Sequence, residues 1–330
     1  MMEANKHPVL EEIERRQRGD SPQLKLALAI EGGAIRGTVT AGMVCALESS
    51  KIDPFLFDAH FGSSAGSYVS SYYISERTRF GATMFYEHNN GGEFIDLKQA
   101  LLRRRPVLSL DHVLEDVMVS RLPIDFQGIV DSGRLHVLAT RLSDLSRHIF
   151  EPAASVTELK NQLRAGAAIP GVAGDPVEID GQQYIDASLT EPLPYQAAID
   201  RGYDGVLLLS SRHEHMAEPG KNDLIRKLMN LVMAKQINIK RKEILEIIAA
   251  RKELDAQRLA EIYKMTHDPD EKPYVFSIHP STEYPVVKQM EKNADKIIAG
   301  TKAGYLAVKE ALGHPIPQSF STNRQFYGNY

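Results

Sequence analysis

"FDAHFGSSAGSYVSSYYI" (residues 57–74) sets a serine among small residues, between an apolar run and a helix-compatible one. "FLFDAHFG" (55–62) reads as a strand and "SYVSSYYISE" (67–76) as a helix. Between them, Gly62-Ser63-Ser64-Ala65-Gly66 matches G-x-S-x-G. A sharp strand-to-helix turn exposes its central residue, and only small neighbours fit there, which accounts for Gly62, Ala65 and Gly66. The helix N-terminus adds free N–H groups and a positive dipole end. Ser63 and Ser67 are close by, but only Ser64 is framed by both glycines. Alone, the pattern fits a structural tight turn as well as a catalytic serine. A nucleophile also needs a base, donors for the developing negative charge, and room for an acyl chain.

Upstream, the same order occurs again. "LKLALAI" (24–30) is a short apolar run ending before a glycine pair, as a buried strand does, and "TVTAGMVCALESS" (38–50) is helix-compatible. Strand–turn–helix repeated in succession indicates a parallel α/β sheet. Downstream, "RLHVLATRL" (134–142) reads as a strand and "SVTELKNQLRAGAAI" (155–169) as a helix capped by Ser155 or Thr157. "QQYIDASLTEPLP" (182–194) is a strand entering a Pro-rich loop, and "YQAAIDRG" (195–202) a short helix closed by Gly202. "GVLLLSS" (205–211) and "YVFSIHP" (274–280) complete the strands. From about residue 214 the chain becomes charged and helical, with Leu224, Leu228, Leu231 and Val232 on one face, and a last helix ends at Gly313.

Between the first strand and its helix lies "EGGAIRG" (31–37). A phosphate-binding loop is one reading, but neither G-x-G-x-x-G nor G-K-[ST] is present. The alternative is an oxyanion hole built from the backbone N–H groups of Gly32, Gly33 and Ala34, with Arg36 either holding the loop or meeting a lipid phosphate.

No histidine among the eleven stands in a convincing setting for the base. His60 lies in the strand before the turn and would point elsewhere. His213 and His215 form an i, i+2 pair that lacks a third metal ligand at convincing spacing, and no metal or cofactor is expected. A carboxylate at hydrogen-bond distance from the serine serves as well, and Asp186, at the end of its strand, is the candidate.

Composition sets outer limits. With 43% hydrophobic and 25% charged residues and a net charge of −4, the 330-residue chain is globular and lacks the basic excess of a nucleic-acid binder. A single cysteine, Cys45, excludes an intrachain disulfide and fits a cytoplasmic location. No apolar run approaches the ~20 residues that span a bilayer, and the charged N-terminus lacks a signal peptide's apolar segment. Contact with a membrane would be peripheral. Arg103, Arg104 and Arg105 beside apolar residues, the basic helix over 224–253 and the aromatic end "FYGNY" (326–330) could meet anionic lipid, against the commoner outcome of solvated faces.

Taken together, "EGGAIRG", "GSSAG" and "DAS" resemble the patatin-like phospholipase family, with "RAGAAIPGVAGDPVEIDGQQYIDASLTEPLP" (164–194) as a fourth likeness. The resemblance covers roughly residues 24–212. It implies a three-layer α/β/α fold with a mainly parallel central sheet and a helical C-terminal extension. Residues 1–20 read as a polar lead-in with a helix over "VLEEIERRQ" (9–17), leaving a catalytic core at 21–213 and a mainly helical region at 214–330 expected to pack on that core. The resemblance further implies a Ser–Asp dyad in which Ser64 attacks a fatty-acyl ester, Asp186 takes its proton, and Gly32, Gly33 and Ala34 hold the oxyanion, without a metal. Two positions depart from the family pattern. Ala34 replaces the third glycine of the loop, which matters only if that position needs a positive φ. Ala187-Ser188 replaces the glycine after the aspartate, which would tilt Asp186 if that glycine has a special conformation. An acyltransferase using the same dyad, and a catalytically impaired lipid-binding protein, are the alternative functions.

Overall fold

The computed structural model describes residues 6–89, 107–170, 172–214 and 241–315, leaving aside the side chains of 241–252. Arg103–Arg105, Leu224, Leu228, Leu231, Val232, His215 and the "FYGNY" end lie outside the described residues.

Strands β1 (Leu26–Ile30), β2 (Ala59–Ser63), β3 (Leu135–Arg141), β4 (Arg147–Ile149), β5 (Val177–Ile179), β6 (Gln182–Asp186), β7 (Gly205–Leu209) and β8 (Tyr274–Ile278) form one sheet. Its order is β5-β6-β3-β2-β1-β7-β8, with β4 also on β3. The run β3-β2-β1-β7-β8 is parallel, whereas β4 and β6 pair antiparallel with β3, and β5 with β6. The helices are α1 (Pro8–Gln17), α2 (Thr38–Ser49), α3 (Ala65–Ile74), α4 (Thr78–Thr83), α5 (Phe126–Ser132), α6 (Val156–Ala167), α7 (Tyr195–Asp200), α8 (Arg241–His267) and α9 (Ala294–Ala311). Wider π-type turns occupy Met84–His88 and His112–Arg121.

Strand β1 shows why the sheet is a middle layer. All five of its residues are buried, as a strand covered on both faces requires. Leu26, Leu28 and Ile30 join the core beneath α1, α2, α3, α6 and α9, while Ala27 and Ala29 join a second core with Tyr195, Ala198, Leu259 and Ile262 of α7 and α8. The period-2 alternation sends bulky residues one way and small ones the other. This is the three-layer arrangement with a mostly parallel sheet that the sequence leads one to expect.

Residues from both ends of the chain enter this body. Val9, Leu10 and Ile13 of α1 are buried in the first core. From the C-terminal side come β8, on the edge beside β7, and α9, which lies against α2. Glycines set that helix pair's approach. A Cβ added at Gly42 would lie 1.9 Å from the Thr301 carbonyl oxygen, and one at Gly304 would lie 1.9 Å from that of Val39. The two threonine hydroxyls of Thr38 and Thr301 bond across the same seam at 2.6 Å.

Candidate active site

Loops leaving neighbouring parallel strands converge at one edge of the sheet, and β1 lies between β2 and β7 where the order changes direction. Such a position is where open α/β sheets form crevices. Ser64 follows β2 directly and precedes α3, with φ 51° and ψ −126°. A non-glycine residue tolerates that conformation only when its surroundings fix it. The flanking glycines do so by permitting contact. A Cβ at Gly62 would come within 2.5 Å of the Ser67 Cα, and one at Gly66 within 2.1 Å of the Ile30 carbonyl oxygen. Strand, turn and helix are therefore pressed together around Ser64. The neighbouring Ser63 is fully buried and its hydroxyl donates to the Glu191 carbonyl at 3.0 Å, so its oxygen is already engaged.

The loop after β1 lies against this turn. A Cβ at Gly32 would sit 2.3 Å from the Ser63 carbonyl oxygen and 2.8 Å from the Ser64 Cβ. Backbone bonds on either side tie the loop down. The Glu31 N–H donates to Leu209 at 3.0 Å, Ile35 to Gln289 at 3.1 Å and Arg36 to Gly33 at 3.1 Å. Among the described residues, the intervening N–H groups of Gly32, Gly33 and Ala34 find no backbone acceptor. Ala34 has φ 50°, so the third-glycine position does need the left-handed region here, and the alanine occupies it under strain.

Beneath the loop is a buried charge cluster. The Glu31 carboxylate accepts from the Ser211 N–H at 2.7 Å, from the Ser210 and Ser211 hydroxyls at 2.9 Å each, and from Arg212. Arg36 donates to Ser211 Oγ at 2.9 Å and to Glu31 at 3.4 Å. Burial pushes the Glu31 carboxyl up, but the Arg212 and Arg36 guanidiniums and the two serines outweigh it and hold it down at about 2. Arg36 is only 4% exposed and is engaged by Glu31 and Ser211 beneath the loop, which leaves little of it for a lipid phosphate.

Asp186 ends β6. That strand runs antiparallel to β3, so its last residue does not reach the carboxyl edge by direction, as the sequence reading supposed. Register instead sets it level with the Ser64 turn. Ser63 pairs with Leu138, and the next residue, Ala139, pairs with Asp186. Positions 64 and 186 thus flank Ala139 at one level, with strands ~4.8 Å apart on either side. Directly opposed residues share a face, which puts Asp186 on the α3 side with Ala139. The Asp186 charge is correspondingly among those felt by the Tyr68 hydroxyl, one turn into α3, which burial above all pushes up. The carboxylate is 3% exposed and its Oδ1 accepts from the Ser188 N–H at 2.7 Å. Thr140 Oγ1 donates to the Asp186 carbonyl at 3.0 Å, and the Asp186 N–H donates to Ala168 at 2.7 Å. Neither Ala187 nor Ser188 has a positive φ. The Ala-Ser pair is therefore free of left-handed strain here, and the Ser188 N–H holds one carboxylate oxygen.

Ser64 and Ala34 open into a pocket of about 50 Å3, where a single water needs ~10–15 Å3. Its walls are mainly apolar: Ile35, Met84, Phe85, Leu110, Val113 and Ile169. Asp186 is not among the lining residues.

The histidines stand apart. His60 Nε2 donates to the Pro54 carbonyl at 2.8 Å, its ring against Phe57 and Tyr73, and burial lowers it to about 4. His213 is buried and lowered, and among the described residues no group of three His, Cys, Asp or Glu could hold a metal. The sequence reading missed Arg212 and Ser210-Ser211. The signal available was a polar trio directly after the buried strand "GVLLL", beside the strand that Glu31 follows.

The family model for patatin-like phospholipases matches residues 28–199. "Uncharacterized protein YjjU" of Escherichia coli (strain K12) is 27% identical over 182 residues, which is 54% of this chain and 49% of that protein. The chain spans about half the length of this curated relative. The family match takes in both glycine loops and Asp186 and covers more than half of the chain, and on that ground the chain belongs to the patatin-like phospholipase family.

Proposed function

We propose that the protein is a serine lipid acyl hydrolase, cleaving fatty-acyl esters through an acyl-enzyme on Ser64. One observation carries the reading: Ser64 is held at φ 51° at the head of α3, facing an apolar pocket, with the Gly32–Ala34 loop packed against it. Backbone strain at a pocket-facing serine calls for a purpose, and nucleophile display is one.

In this reading the Ser64 hydroxyl oxygen attacks the acyl carbonyl carbon while Asp186 takes its proton. The carbonyl oxygen gains negative charge and accepts from the N–H groups of Gly32, Gly33 and Ala34. Each such donor contributes about 2.7–4 kcal/mol to lowering the barrier. The ester C–O bond then breaks, and the Asp186 proton passes to the departing alcohol oxygen. Water, deprotonated by Asp186, attacks the acyl-serine; the acid leaves and the proton returns to Ser64. No step calls for a metal. The lipid ester would be met at a membrane's surface, and among the described residues no helix is long and apolar enough to cross one.

Incubation with a mixed phospholipid extract, with released fatty acids identified by mass spectrometry, tests this. Wild type should release free acids, and Ser64→Ala should release none above background. Equal release by both proteins would sink the proposal.

A further inference from the structure

The pocket beside Ser64 has two polar wall residues, Asn89 and Tyr68, that the hydrolysis just described does not use. Asn89 follows the π-type turn Met84–His88, and its N–H donates to the Met84 carbonyl at 2.8 Å, which fixes its backbone. It lines the pocket with Met84 and Phe85 from its own turn and with Leu108, Leu110 and Val113 from the segment beyond. Its side chain is 3% exposed, and among the described residues its Oδ1 has no hydrogen-bond partner. Tyr68, also on the wall, differs: its hydroxyl donates to the Leu163 carbonyl at 3.2 Å.

A buried carboxamide with an unmet acceptor is costly, and leucine would fill nearly the same volume without that cost. The arrangement makes sense if a ligand supplies the missing partner. The scissile carbonyl is assigned to the Gly32–Ala34 amides, so Asn89 is left for a second polar group of the substrate. A carboxamide can turn about its last torsion and offer either its oxygen or its nitrogen. A hydroxyl complements both, since it donates and accepts. The polar half of a lipid stays near water, whereas among the described residues the pocket wall that Asn89 shares is mainly apolar. The hydroxyl therefore belongs to the acyl half.

We propose that Asn89 is a specificity-determining residue that recognises a hydroxyl on the acyl chain, making hydroxylated fatty-acyl esters the preferred substrates. This rests on the acyl-hydrolase reading of the pocket.

The test uses p-nitrophenyl dodecanoate and a set of its isomers hydroxylated at successive chain carbons, with wild type, Asn89→Leu and Asn89→Ala. For wild type, one or two neighbouring isomers should exceed the parent ester in kcat/KM by about tenfold or more, because a site built for a hydroxyl discriminates against its absence. In both variants that gap should close to within about twofold. Asn89→Leu should also melt at a higher temperature than wild type, having lost a buried unmet acceptor. A wild-type ratio near one, or a ratio that both variants preserve, overturns the role of Asn89 while leaving the hydrolase intact. A preference for lysophospholipid over its diacyl counterpart, lost in Asn89→Leu, would put the hydroxyl on the alcohol half and overturn the acyl assignment. Calorimetric binding of dodecanoic acid and the hydroxydodecanoic acids to Ser64→Ala separates the two readings. If no ester is hydrolysed, the hydrolase reading fails. Tighter binding of a hydroxylated acid that Asn89→Leu abolishes still supports recognition by Asn89, and equal binding rejects it.

Discussion

Ser64 and Ala34 hold φ at 51° and 50°, and neither is glycine. Each strained residue faces the same pocket, and each costs on the order of 1–2 kcal/mol of stability that a glycine would restore in part. Ser64→Gly should therefore remove activity yet raise stability by about 1 kcal/mol in denaturant unfolding, after glycine's own entropic cost is deducted. Ala34→Gly should be neutral to stabilising by up to ~1 kcal/mol, with turnover retained because the N–H persists. Loss of stability in either variant would mean the backbone is relaxed where it is described as strained. Glu31 gives a pH prediction. Its carboxyl is lowered from an ordinary 4.5 to about 2. A depressed carboxylate stabilises the fold above its unfolded pKa, and that contribution disappears as pH falls from about 4.5 through about 2. At ~1.36 kcal/mol per unit, roughly 3 kcal/mol is involved. Glu31→Gln should lose stability at neutral pH, through stranding the buried Arg212 and Arg36 charges, and should show a flatter acid limb between pH 4.5 and 2. An acid limb identical to wild type would place the titration elsewhere. This cluster was hard to read in the sequence: Arg36 lies five residues from Glu31 but Arg212 lies 181 away, and no local pattern joins them.

Strands buried on both faces were the legible elements. "LALAI" and "GVLLL" are continuous apolar runs because helices cover the sheet on either side. Strands β4 and β5, "RHI" and "VEI", are three residues long and only partly buried, so no apolar run marked them, and the antiparallel direction of β6 stayed hidden with them. The Ser64 turn and the Gly32-Gly33 loop were readable because small residues are obligatory where backbones touch. The same rule operates at the α2–α9 seam, where it went unread because the two helices are far apart in sequence. Gly42→Ala or Gly304→Ala would drive a methyl into a carbonyl at 1.9 Å, a clash no rotamer relieves. Each should destabilise by ~1–3 kcal/mol. Because α2 follows directly from the loop at Gly32–Ala34, kcat should also fall while Ser64 remains intact. Melting temperature and turnover measured on the same preparations check this, and wild-type values for both would show that the seam is loosely packed.

At the scale of the molecule, the family match ends at residue 199, yet the sheet does not. Strands β7 and β8 extend it past β1, α8 covers its second face, and α9 braces α2. Ion pairs fasten α8 down: the Glu191 carboxylate meets Arg258 at 3.2 Å and Arg147 at 3.1 Å, while its carbonyl takes the Ser63 hydroxyl beside the candidate nucleophile. A chain cut after residue 213 would expose the β7 edge and the apolar faces of α2 and the sheet. Such a fragment should be insoluble or lack a cooperative melt, and a sharp unfolding transition would contradict the unity of the core. The proposed function rests on one relation, a serine and an aspartate set level across β3 beside the Gly32–Ala34 loop. Covalent labelling with a fluorophosphonate, read by mass spectrometry of the tryptic peptide Ile52–Arg77, tests that relation most directly. The account predicts one adduct, on Ser64, formed on the order of 100-fold or more slowly in a folded Asp186→Asn protein. Label on another residue, or an undiminished rate in that variant, would contradict it.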